Sequence, residues 1–202
     1  IRVSGVKTIE IVNSVFRGKD LTSVASHTIH LGTIRDGETI VDEVLISIFK
    51  GPNSYTKEDV IEISCHGSQF IVQQLIKLLL RKGVRLAKPG EFTQRAFING
   101  RFDLAQAEAV ADLIASENES MHSAAMNQMR GGFSQEIKRL REELIHFASM
   151  IELELDFAEE DVEFASRDDL KQLIFKLKTL ITRLTESFTL GNAIKNGIPT
   201  VI

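Results

Sequence analysis

Residues 88–114 read KPGEFTQRAFINGRFDLAQAEAVADLI, and within this run the chain changes its kind of structure. Pro89-Gly90 marks a turn, because proline presets φ and glycine tolerates the positive φ of a type II turn. The residues after it predict a short helix over 91–98, ended at Asn99-Gly100, where left-handed backbone is cheap. Asp103 is then placed to cap a second helix, whose Leu104, Ala107, Val110 and Ile114 recur at helical spacing. A joint between two kinds of structure needs that turn, cap and stripe. It does not need Glu91, Arg95, Arg101 and Asp103 at one corner. A solvated salt-bridge cluster is the plain explanation and a ligand site the sharper one.

Upstream of the joint, strand-like and helix-like runs alternate. Residues 28–34 and 38–49 are rich in β-formers and flank Arg35-Asp36-Gly37, which predicts a hairpin. Val44, Ile46 and Ile48 alternate with Leu45, Ser47 and Phe49, so that strand is expected to be covered on both faces. A further strand is expected over 59–64, a helix over 68–80, and a short strand at Val84-Arg85-Leu86. Downstream the pattern turns helical. Ile137, Leu140, Leu144, Phe147, Ile151 and Leu155 form one seam, and Leu170, Leu173, Leu177, Leu180, Leu184 and Phe188 another. The fold class is therefore α+β: a mixed β/α domain over 1–100, then an all-helical antiparallel bundle over 101–198. Residues 156–167 are expected to be a charged linker.

With 43% apolar and 26% charged residues, the 202-residue chain has an ordinary globular composition. It contains no apolar run of membrane-spanning length, and its start has no signal-peptide pattern. The single cysteine, Cys65, excludes an internal disulfide framework and fits a reducing, cytoplasmic setting. Net charge is −4 but unevenly spread. Residues 1–102 hold 14 Lys/Arg and 10 Asp/Glu, whereas 103–202 hold 10 and 18, giving +4 and −8. The acidic half is a poor electrostatic match for nucleic acid, while the first half suits an anionic small ligand as well as RNA.

No GxxxxGK[ST] phosphate loop occurs in these residues. Cys65-His66 suggests a thiolate–imidazole pair, but neighbours on a strand point to opposite faces. The five histidines show no metal-ligand spacing. Glu62, between Ile61 and Ile63, is a carboxylate on a strand that either pairs with an arginine or receives a ligand's N–H donors. Arg2, in the opening strand-like segment, and Arg101, on the turn before Asp103, supply guanidinium forks suited to carboxylates. The nine carboxylates between Glu152 and Asp169 read first as a solvated helix end, and otherwise as a surface for a basic partner.

The run PGEFTQRAFINGRFDLAQAEAVADLI resembles the signature of the MnmE (TrmE) family of tRNA-modification GTPases. IRVSG at the start, DGETIVDEVLISIFKGPNSYTKEDVIEISCHG and LDFAEEDVEF agree with it in order. The resemblance implies an N-terminal tetrahydrofolate-binding and dimerisation domain over 1–100, the first part of a helical domain over 101–198, and the start of a GTPase domain at 199–202. It implies 5-formyl- or 5,10-methylene-tetrahydrofolate bound by Arg2, Glu62 and Arg101, with Glu62 meeting the paired N–H donors of the pterin. At Arg101 the family usually has lysine, and Ser68 departs from the commoner HGG. By the same resemblance the whole protein hydrolyses GTP with Mg²⁺ and K⁺. It would form a homodimer and join an FAD-dependent partner, MnmG, in a heterotetramer. Together they would install a (carboxymethyl)aminomethyl group at C5 of the wobble uridine of tRNA, in the cytoplasm. A free-standing folate-dependent one-carbon transferase and a non-catalytic assembly module are the alternatives.

Overall fold

The computed structural model describes residues 1–156 and 166–196. The chain forms two compact units, Ile1–Ala107 and Glu108–Ile202. In the first unit a five-stranded antiparallel sheet is built from β1 (Arg2–Ser4), β2 (Phe16–Arg17), β3 (Thr28–Asp36), β4 (Thr39–Phe49) and β5 (Val60–Ser64). Its spatial order is β1-β5-β4-β3-β2, so β1 and β2 are the two edges. Helices α1 (Thr8–Val15) and α2 (Gln69–Arg81) pack on one face. Their Val12, Val15, Leu75, Leu78 and Leu79 close over Ile46 and Ile48 of β4 and Ile61 and Ile63 of β5, all nearly inaccessible to water. Burial of such side chains is worth roughly 1.5–3 kcal/mol each, and this layer is the main source of the unit's stability.

The other face of the sheet is open. Ile29, Leu31 and Leu45 are exposed while Ser47 and Phe49 are half-buried, so β4 is covered fully on one face and only at one end of the other, short of the two covered faces its alternation suggested. Along this open face Ile29, Ser47, Glu62 and Arg2 lie side by side on successive strands. The expected hairpin is present, with Gly37 at φ 60° in its turn. The expected strand at Val84-Arg85-Leu86 is absent. Gly83, at φ 90°, ends α2 with a Schellman-type bond from the Val84 amide to the Leu79 carbonyl, and 84–88 runs on as irregular chain. Helix α3 (Glu91–Ile98) occupies the expected span.

Beyond Asp103 the described residues contain helices only: α4 (Leu104–Ile114), α5 (Glu119–Met129), α6 (Gly132–Asp156) and α7 (Arg167–Asn196). The cap expected at Asp103 is formed twice over. Its Oδ1 accepts from the Gln106 amide at 2.9 Å, and Gln106 Oε1 accepts from the Asp103 amide at 3.0 Å, a reciprocal capping box. The stripe after it is not a core, because Leu104 and Ile114 are exposed. The two long seams are half-realised. Leu140 and Phe147 of α6 and Leu173 and Leu180 of α7 are buried, while Ile137, Leu144, Ile151 and Leu155 remain exposed. The linker expected over 156–167 falls largely outside the described residues, as do the side chains of Leu184 and Phe188 and all of 199–202.

Candidate ligand site on the open sheet face

β1 and β5 pair in a register that sets Arg2 directly opposite Glu62. Their side chains meet: Arg2 Nε donates to Glu62 Oε1 at 2.7 Å, and its terminal nitrogen reaches the same oxygen at 2.6 Å. Among the described residues nothing bonds to Glu62 Oε2. The pair is partly solvated, with 45% and 38% of the two side chains exposed, so as structure alone it adds little stability.

Arg101, within the same unit, reaches this region from the turn after α3. It follows Gly100, at φ 70°. That turn is tied to the loop between β4 and β5 by three bonds to main-chain carbonyls. Asn99 Nδ2 donates to the Thr56 carbonyl at 2.6 Å, Lys57 Nζ to the Gly100 carbonyl at 2.9 Å, and Arg101 to the Ser54 carbonyl. The loop is itself anchored inside, where Thr56 is fully buried and shares a 2.7 Å hydrogen bond with Ser4 of β1.

One aromatic ring joins the two arginines. The guanidinium of Arg2 lies 5.6 Å from the Tyr55 ring centre and that of Arg101 lies 5.1 Å from it, both within cation–π range. Phe92 flanks Arg2 and Phe102 flanks Arg101. Tyr55 is held by a 3.0 Å hydrogen bond between its hydroxyl and Thr93 of α3. Glu62 and Arg101 line a cavity of about 550 Å³ together with His27, Phe49, Tyr55 and Lys57. Arg2 lines a neighbouring cavity of about 250 Å³ that also touches Phe92 and Arg95. Glu62 and Arg101 thus share one cavity, and Arg2 stands at its border through Glu62 and Tyr55.

The charges that crowd the joint divide by task. Glu91 accepts from Arg85, from the Lys88 amide at 2.8 Å and from Arg95 at 3.3 Å. The Arg85 hydrogen bonds, then the Lys88 amide, hold its carboxyl down at about 2. Arg95 bridges Glu91 to Glu58, whose oxygens lie 2.9 and 3.1 Å from its Nη1. These groups brace the joint, and Asp103 caps a helix. Only Arg101 of that cluster faces the cavity.

Cys65 and His66 do not form a pair. Cys65 packs against the core, and His66 Nδ1 meets the buried Asp42 carboxylate at 2.8 Å, whose other oxygen accepts the His66 amide. Burial pushes the Asp42 carboxyl up, but the hydrogen bonds from His66 outweigh it and the net shift is downward. Ser68 adopts an ordinary φ of −75°, so its side chain introduces no backbone strain at the start of α2. No cluster of metal-ligating side chains exists among the described residues, and no helix there is long and apolar enough to cross a membrane. Tyr55, Lys57 and His27 also line the cavity but carry no sequence signal for it, because nothing local in SYTKED shows that it folds back against residue 101.

A family model described as GTP-binding protein TrmE N-terminus matches residues 1–101, and one described as MnmE helical domain matches residues 104–199. The chain is 64% identical over 202 residues to the tRNA modification GTPase MnmE of Cytophaga hutchinsonii, covering all of this chain and 44% of that protein. Against the proteins of the same name from Flavobacterium johnsoniae and Bacteroides thetaiotaomicron it is 62% and 55% identical, again over the whole chain and 44% of each relative. The chain spans a little under half the length of these curated relatives.

Proposed function

The chain belongs to the MnmE family of tRNA-modification GTPases, and from that premise we propose that its first unit is the reduced-folate site of such an enzyme. The observation that carries the reading is the constellation around Tyr55: an oriented carboxylate, Glu62, and two guanidinium groups, Arg2 and Arg101, beside one aromatic face. A pterin presents adjacent N–H donors along one edge, and a carboxylate offers two acceptors to match them. Arg2 holds Glu62 by one oxygen and leaves Oε2 for the ligand. Arg101 turns toward the polar or anionic groups beyond the ring. The ligand is 5-formyl- or 5,10-methylene-tetrahydrofolate, the one-carbon carrier.

In the full-length protein this domain would dimerise, and it would work with a GTPase domain that uses Mg²⁺ and K⁺. With the FAD-dependent partner MnmG it would modify C5 of the tRNA wobble uridine, in the cytoplasm. The edge strands β1 and β2 give the first unit two places where a second copy can add.

Calorimetric titration with 5-formyltetrahydrofolate tests the site. A hydrogen bond to a charged group contributes about 1.5–3 kcal/mol, so Glu62→Ala should weaken binding about tenfold or more. Glu62→Gln, which keeps one acceptor, should cost less. Unchanged affinity for Glu62→Ala would sink the assignment.

A further inference from the structure

Among the described residues only two that are not glycine have left-handed backbone, His27 at φ 63° and Lys57 at φ 59°. Both line the cavity that contains Glu62 and Arg101. A Cβ makes this conformation sterically costly, and such strain gathers at ligand sites.

Lys57 has a defined place in that wall. Its Nζ donates to the carbonyl of Gly100, the residue before Arg101, while Arg101 donates to the carbonyl of Ser54. Both cations are therefore steered by neutral main-chain oxygens. Among the described residues neither forms an ion pair with a carboxylate, whereas Glu62 is matched by Arg2 and Glu58 by Arg95. An ammonium has three donors and a guanidinium five, so each retains unused hydrogens. With Glu62 matched by Arg2 at the border, Lys57 and Arg101 leave two positive charges in the cavity wall without a carboxylate partner among the described residues. Those charges call for a ligand with two negative charges.

We infer that Lys57 and Arg101 form a clamp for the two carboxylates of the ligand's glutamate end, with Lys57 as a specificity-determining residue. The inference rests on the folate reading and adds to it the part of the ligand that the carboxylate of Glu62 does not recognise. Lys57 selects for the charged tail, and Glu62 selects for the heterocycle.

The test is calorimetric binding to the full chain of two ligands, 5-formyltetrahydrofolate and 5-formyltetrahydropteroate, which lacks the glutamate. Lys57→Asn removes the charge and keeps a residue that tolerates left-handed backbone, and Lys57→Gly relieves the strain altogether. Both variants should weaken the glutamate-bearing ligand about tenfold and leave the pteroate within about twofold. Glu62→Ala, run in parallel, should weaken the two ligands alike. Equal losses for both ligands in the Lys57 variants, or no loss, overturn the clamp. If Glu62→Ala loses binding and the Lys57 variants do not, the clamp falls and the folate reading stands. If neither ligand binds the unaltered chain, both fall together.

Discussion

Glu91 shows how tertiary partners give a charged residue its task. Its carboxylate, only 11% exposed, joins Arg85 in the irregular 84–88 segment to Arg95 on its own helix. With its carboxyl lowered from 4.5 to about 2, the stabilising contribution is complete above the unfolded value and is lost as pH falls through the folded one. Glu91→Gln should therefore lower the melting temperature at neutral pH. Its difference from the unaltered chain should shrink between about pH 4.5 and pH 2. Thermal melts of both chains across that window check the sign, and a constant difference would remove Glu91 from the account. The i, i+4 pair of Glu91 and Arg95 was legible in the sequence because helical spacing alone brings them together. Glu58 and Arg85 were not, because they come from a loop and a helix exit whose positions depend on the whole unit.

Elements were legible where a local signal was sufficient. The capping box at Asp103 is one case, and Asp103→Ala should destabilise α4 by about 1 kcal/mol, measurable by denaturant titration. The strand expected at Val84-Arg85-Leu86 is the opposite case. Its β-forming residues lack a ladder to join, and Gly83 turns the chain so that Arg85 meets Glu91 instead. Period-2 alternation in β4 identified a strand but not how many of its faces would be covered, since Leu45 and the neighbouring Ile29 and Leu31 are exposed. Nor did β3 reveal the constraint at Gly32. A Cβ there would stand 2.3 Å from the Phe16 ring and 2.5 Å from the Arg17 carbonyl of edge strand β2. Gly32→Ala should cost roughly 1–3 kcal/mol through forced displacement of β2, again visible as a shifted unfolding midpoint.

For the molecule as a whole, the sequence pattern changes near residue 100, where a period of two gives way to one of 3.6, whereas the two compact units divide between Ala107 and Glu108. The site was readable only in part. Arg2, Glu62 and Arg101 stand out as charges in placed positions, whereas the aromatic and cationic wall between them exists only once three remote segments converge. The two units differ in how much apolar surface they bury. The first closes one face of a sheet under two helices around a large buried cluster, while among the described residues of the second only Phe147 and Leu173 form a buried cluster, edged by Met150, Leu170 and Leu177. Differential scanning calorimetry should show two transitions, with the helical unit unfolding first. A single transition with equal calorimetric and van't Hoff enthalpies would count against that division.

Tyr55, within cation–π range of both Arg2 and Arg101, is the only tyrosine among the 202 residues, and the chain has no tryptophan. Its ultraviolet emission is therefore a built-in optical reporter at the proposed ligand site. A heterocycle settling against that ring would quench the light directly, so occupancy can be followed in real time without a label, a coupled assay or a change to the chain.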